Sequence, residues 1–355
     1  FEVTIWTGTG GARTISGLNH KPDLIWTKTR SVAYNHMWSD SSRGFNANSE
    51  LGSNSTAAEG GLSAETYGYK SGHTSDGWTM VDGTDTVDGQ EDGNTNQPSV
   101  TYVGWTWAAN GGTTTSFSAS GAQLAGTRQS NTTAGFSIIT YTGDGNNNAT
   151  IPHGLNSAPK FVIIKDRGNA TNWYVGHDAT FTTGEVFLNL TNALAAAFGP
   201  FNKTAPTASN IVLGTDGSVN GSGDTMICYA FAEVQGYSKF GSYIGNGNAD
   251  GPFVYTGFKP AWLMYRNTSR SENWIIVDNQ RNTINPVNGA NLQANVSDVE
   301  ANETRWSFDF LSNGFKIRTN GSNNNANNGS GETIIYMAFA EHPFVSSKGV
   351  PVTAR

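Results

Sequence analysis

The chain has 355 residues, 43 of them Gly, with 14% charged and 11% aromatic residues, a formal net charge of −7 and a pI near 5.3. That length fits about three domains of roughly 100 residues. Few stretches avoid Gly, Asn or Thr for two turns, which excludes a mostly helical protein, and the aromatics are too plentiful for disorder.

Partners are bounded by the same numbers. The acidic balance lacks the Lys/Arg stripe that neutralises phosphates, so no nucleic-acid partner is expected. No run approaches the roughly 18–20 apolar residues of a membrane span, so no membrane insertion is expected. No basic segment followed by an apolar one marks a signal peptide. The first residue is Phe1 rather than Met, which is compatible with a longer parent carrying an upstream attachment domain.

Taken in order, the chain says the same thing three times. It opens with FEVTIWTGTG (1–10), and FSIITYTGDG (136–145) and FGSYIGNG (240–247) repeat that opening. In each copy an aromatic residue, Trp6, Tyr141 or Tyr243, precedes a Gly-x-Gly turn. A proline with an apolar run follows 16, 18 and 17 residues later, at PDLIWTK (22–28), PKFVIIK (159–165) and PAWLMYR (260–266). Next come Trp38 with Asp40, Trp173 with Asp178 and Trp274 with Asp278, the acids lying 18, 19 and 18 residues past the prolines. Each unit closes on a strand-like phrase: TYVGWTWA (101–108), TMICYAFAE (225–233) and TIIYMAFAE (333–341). β-Branched and aromatic residues of this kind fit a pleated, buried surface. Ordered landmarks at nearly constant offsets mark a triplication.

The expected fold is all-β, with three tandem antiparallel β-sandwich units of jelly-roll-like form. Unit one covers 1–109, with an acidic Gly-rich insertion near 68–97. A low-complexity Gly/Thr/Ser linker covers 110–134. Unit two covers 135–238, and unit three with a C-terminal tail covers 239–355. The junction between units two and three, which lacks a linker, is expected to be the tighter one. The stretch LTNALAAAF (190–198) suits two helical turns or a loop crossing the end of a sandwich.

Chemistry is sparse. Lys28, Arg30, Arg43, Lys165, Arg167, Arg266 and Arg281 recur after the central strand, and pairing with Asp40, Asp178 or Asp278 inside each unit explains them better than an anion clamp. Four of the six histidines, His20, His36, His153 and His177, match no zinc-ligand spacing. Cys228 reads as a buried sheet residue, since no His is spaced to activate it. The Asn-x-Ser/Thr sequons at Asn54, Asn131, Asn189, Asn202 and Asn302 read as chance in so polar a chain. The Gly-x-Gly turns lead into no helix and no Gly-Lys-Ser/Thr, so they cradle no phosphate.

Two surface sites remain. Asp82, Asp85, Asp88 and Asp92, set among glycines, are the candidate Ca²⁺ ligands, against the plainer reading of Asp-Gly turns; no other cofactor is expected. Tyr34, Tyr67, Tyr69 and Trp78 are the candidate glycan contacts, against the plainer reading of core aromatics. Paired acids for glycoside hydrolysis are not evident, and a non-enzymatic protein is expected.

The phrases PDLIWTKTR (22–30), LGSNSTAAE (51–59), FSIITYTG (136–143), HGL (153–155), GSYIGNGNADGPFVYTGF (241–258), DFLSNGFK (309–316) and MAFAEHPF (337–344) resemble the tandem-repeat structural proteins of tailed, often marine, bacteriophages, built from a repeat domain of undefined function. The resemblance spans nearly the whole chain, and the acidic stretch of unit one departs from it. It implies a virion surface protein, either a tail fibre or appendage contacting the host surface and its glycans, or a capsid decoration or head-fibre protein; a polysaccharide depolymerase is the third alternative. The implied partners are other virion proteins, copies of itself, with a trimer favoured, and host glycan. No catalytic residue is implied.

Overall fold

A computed structural model describes residues 1–341 and 343, apart from 88–89, 197–198, 288, 303 and 320–326. Each unit is built on one antiparallel sheet with the same strand order. The opening strands are Glu2–Thr7, Phe136–Thr142 and Ser238–Ile244. Each lies beside a closing strand, Thr101–Trp107, Thr225–Ala232 or Thr333–Ala340. The closing strand pairs on its other side with the strand after the proline, Leu24–Thr29, Pro159–Asp166 or Pro260–Asn267. A fourth strand follows, Met37–Asp40, Tyr174–His177 or Ile275–Asp278. The sandwich is completed by a small second sheet. It is Arg13–Ile15, Gly77–Val81 and Tyr69–Thr74 in unit one, Ala149–Pro152 with Asn210–Leu213 in unit two, and Phe253–Tyr255, Gly314–Ile317 and Phe308–Leu311 in unit three. The all-β sandwich architecture is therefore the one expected.

The boundaries differ in two places. Residues 69–81 are two strands of unit one's second sheet, matching 308–317 of unit three, so only the loop after them is extra. Residues 115–117 and 126–131 of the expected linker are strands that extend unit two's main sheet. Residues 122 and 124 bind the backbone of Thr150 along the edge of the second sheet (2.7 and 2.9 Å). Polarity had suggested a linker, but an edge strand with one solvated face is polar as well.

The register also corrects two landmarks. Leu24, Phe161 and Trp262 face Asp40, His177 and Asp278. His177 thus holds the place of the two aspartates, while Asp178 lies one residue on, exposed and paired with Lys160 at 3.3 Å. Trp26, Ile163 and Met264 face Trp38, Val175 and Ile276. The counterpart of Trp173 and Trp274 is therefore His36, two residues before Trp38.

The closing strands are buried on both faces, and this sets the whole arrangement. One face of each sheet packs inside its own sandwich. The other face packs against the other two units in one shared core, which includes Trp26, Trp38, Trp105 and Trp107 of unit one. Phe161, Trp173 and Phe231 enter it from unit two, and Trp262, Trp274 and Phe339 from unit three. Phe1 stacks on Phe339 at a centroid distance of 4.8 Å. Burying one side chain of Phe or Leu size contributes about 1.5–3 kcal/mol, so the shared face outweighs any single polar contact between the units. The units close into a ring rather than extending as beads. Leu194 packs on this core from a loop, and residues 190–196 form no helix.

Candidate functional site

The recurring polar residues mostly hold the repeat together. Within each unit the aromatic side chain before the Gly-x-Gly turn donates to a distant carbonyl: Trp6 to Thr95, Tyr141 to Val219 and Tyr243 to Asn327 (3.2, 2.6 and 2.7 Å). The next residue in each case, Asn96, Asn220 or Asn328, accepts a backbone N–H from the turn and donates back to turn carbonyls. The first glycine of each turn is required by this approach. A Cβ on Gly8, Gly143 or Gly245 would lie 2.0–2.3 Å from a backbone oxygen.

A second triplet fixes the fourth strand. Asn54, Asn189 and Asn295 each accept the backbone N–H of His36, Trp173 or Trp274 at 2.9 Å. Each donates in turn to a second asparagine, Asn35, Asn172 or Asn273. Asn54 and Asn189, whose sequons read as chance in sequence, thus have a structural role. All three triplet asparagines begin Asn-x-Ser/Thr motifs, 32, 30 and 35 residues after the prolines, and that spacing was the available signal.

A third set joins the units in cyclic order. Trp173 of unit two donates from its indole nitrogen to Ser55 O of unit one (3.0 Å), and Trp274 of unit three to Phe187 O of unit two (2.7 Å). The His36 imidazole of unit one meets Gln293 O of unit three at 2.9 Å. Contacts near the middle of each closing strand follow the same cycle. Tyr229 donates to Asp40 (2.7 Å) and Trp105 to Asp278 (3.1 Å), while His177 meets Tyr336 O (3.3 Å).

The basic residues divide accordingly. Arg43 pairs with Asp40 (2.5 Å) and Arg281 with Asp278 (2.7 Å), both buried inside their units as expected. Arg167 and Arg30 instead form two-point bonds across units, to Glu59 and Glu300 (2.8–3.0 Å). Each of these glutamates also receives the neighbouring Arg43 or Arg281. At the third junction Leu194 and Thr268 occupy the matching places and keep only the backbone bond (2.9 Å), while buried Arg266 donates to carbonyls of Phe187 and Asn192. Lys28 and Lys165 are buried against backbone carbonyls. Burial lowers them to about 7 and about 8. It likewise lowers the His177 imidazole to about 4 and takes His36 well below its ordinary value. Cys228 is fully buried and its thiol is pushed up by desolvation.

The sequence-selected surface residues separate into two groups. Trp78 is fully buried in unit one's inner core, so it is no surface contact. Tyr69 is half-buried against Met37, Leu62 and Ala64. Tyr34 and Tyr67, 33 residues apart, meet in one cleft of about 490 Å³. Three loops of unit one supply it, contributing Tyr34 and Asn35, Ser63 and Tyr67, and Gln90 and Asn94; Ser297 reaches in from unit three. Asn94 N–H donates to Tyr67 O (2.9 Å), and the Tyr34 ring lies close against Gly93, where a Cβ would sit 3.2 Å from it.

Gln90, Gly93 and Asn94 of the acidic loop line one side of the cleft. Asp92 is buried and accepts the Gly11 N–H (3.2 Å), which ties the loop to the opening turn. Asp85 accepts Val87 N–H (2.8 Å), and Asp82 is exposed. Desolvation first, then the charge of Glu91, raise the carboxyls of Asp82 and Asp92. Asp88 lies outside the described residues. Among the described residues no group of three His, Cys, Asp or Glu is placed to hold a metal ion.

The family model of the domain of unknown function DUF7483 matches residues 1–343. The chain belongs to this family. The match takes the three units together, as the shared core does. No curated protein matches the chain.

Proposed function

We propose that this DUF7483 protein is a non-enzymatic surface protein of a tailed-bacteriophage virion, a tail fibre or appendage that presents the unit-one cleft to host surface glycan. The cleft carries the proposal. It pairs two tyrosines with amide and hydroxyl side chains in a volume within the roughly 300–1,000 Å³ typical of small-molecule sites. The closed ring supplies a rigid platform, because the loops that form the cleft are anchored at a junction between units. The phrase-by-phrase resemblance to phage structural proteins supplies the setting. Other virion proteins anchor the chain, and assembly of three copies would multiply weak contacts through avidity.

Among the described residues no carboxylate lines the cleft, whereas a depolymerase needs two acids across its groove. This supports a reading of binding rather than hydrolysis. The decisive test is to locate the chain in an image of the assembled particle. Density at the tail tip or on radiating appendages supports host contact. Density spread over the capsomers would replace it with a decoration role.

A further inference from the structure

Taking the cleft as the host-contact site proposed above, we infer that it selects neutral saccharides and rejects uronic, sialylated and sulfated ones. Among the described residues its polar lining consists of Asn35, Gln90, Asn94, Ser55, Ser63 and the tyrosine hydroxyls, with Ser297 at the junction. None carries a charge at neutral pH. Recognition of a carboxylate or sulfate relies on Arg or Lys, and the cations nearest along the chain are committed elsewhere. Arg30 is held by both oxygens of Glu300 at 2.8 Å. Lys28 is buried against the carbonyls of Thr29 and Val32, and Lys70 is buried against Glu50 at 3.3 Å.

Next to the lining residues along the chain stand Glu65, Glu91 and Asp298. An anionic sugar entering the cleft would lose hydration without gaining a cation, and the carboxylates that adjoin the lining residues along the chain add like charge. A neutral sugar meets neither penalty. Its hydroxyls both donate and accept, as the lining groups do. Asn35 Oδ1 accepts from Asn54 at 2.8 Å, which turns the amide so that its N–H groups are the donors left for a ligand. Asn94 Nδ2 reaches Gly68 O at 3.4 Å, leaving its carbonyl oxygen as an acceptor. Sugar C–H faces stack on the tyrosine rings. Contact with the Gly93 backbone pre-positions Tyr34, which lowers the ordering cost on binding.

The test is titration calorimetry of the full chain with two sets of trisaccharides. The neutral set is maltotriose, mannotriose and chitotriose, and the acidic set is trigalacturonate and sialyllactose. At least one neutral sugar should bind, with affinity falling about tenfold or more in Tyr67→Ala and in Gln90→Ala, each checked for an unchanged melting curve. Ser63→Lys should weaken the neutral sugar and raise affinity for trigalacturonate. Tighter binding of an acidic sugar, lost in Tyr67→Ala, would overturn the inference and leave the cleft as a receptor site. Absence of binding in both sets at about 10 mM, beyond the millimolar range, would also overturn it. Failure of the underlying assignment reads out differently: particles carrying Tyr67→Ala would then adsorb to host cells as well as the wild type.

Discussion

The ring predicts that the three units unfold as one, and Tyr229 is where this is most directly measured. Its hydroxyl donates to Asp40 of unit one at 2.7 Å and accepts from Arg43 at 3.2 Å, all three side chains being buried. Tyr229→Phe removes two hydrogen bonds that involve charged groups and leaves the ring packing in place. One such bond contributes about 1.5–3 kcal/mol. The hydroxyl's own desolvation is relieved, so the expected loss is about 2–3 kcal/mol rather than twice that. Asp40→Asn leaves Arg43 buried with only Glu59 as a charged partner, at an expected cost of about 3–5 kcal/mol. Urea unfolding followed by tryptophan fluorescence and by far-ultraviolet circular dichroism measures both. The double variant should show a coupling of about 1 kcal/mol or more, and both probes should trace one transition. Additivity within about 0.5 kcal/mol, or a separate early transition of unit two, would refute mechanical coupling of the units through the shared core.

Acid should weaken the fold through its buried histidines. Burial holds His177 at about 4 in the folded state, against about 6.5 unfolded. The unfolded chain therefore binds the extra proton between these values. The contribution is fully present above 6.5 and is lost as pH falls toward 4, about 3 kcal/mol in all. His177→Gln should flatten that slope in a stability–pH series; an unchanged slope would show that His177 does not bear it. Asn189→Ala and Asn295→Ala should each cost about 1–3 kcal/mol, because each strips the acceptor from the buried backbone N–H of Trp173 or Trp274; melting curves within experimental scatter of wild type would exclude the repeated asparagine lock. Gly143→Ala should give little soluble protein, since its Cβ would overlap the Gly221 oxygen at 2.3 Å; a variant that folds normally would refute the close approach. Cys228 should resist a thiol reagent in the native protein and react on unfolding, and rapid native labelling would contradict its burial.

Much of this was written locally. Strand residues, the Gly-x-Gly turns and the triplication all recur at short range, where spacing and residue type act directly. The same holds for Arg43 with Asp40 and Arg281 with Asp278, each separated by three residues. Tyr34 and Tyr67 were legible as aromatics near polar side chains, but Trp78 carries the same signal and fills the core. An aromatic residue looks alike whether its partner is a ligand or a neighbouring sheet.

The tertiary structure decided what the sequence left open. Continuous apolar runs such as 226–232 state that both faces of a strand are buried, and they leave unsaid what covers the second face. That cover is the other two units, brought together by association of three sheet faces that no local spacing encodes. The linker's length had suggested a loose first junction, yet cyclic packing engages all three. The register that puts His177 in the aspartate's place follows from strand pairing, where a shift of one residue moves every side chain to the other face. The cleft arises the same way. Its loops lie far apart along the chain, and Ser297 joins them only because unit three docks on unit one.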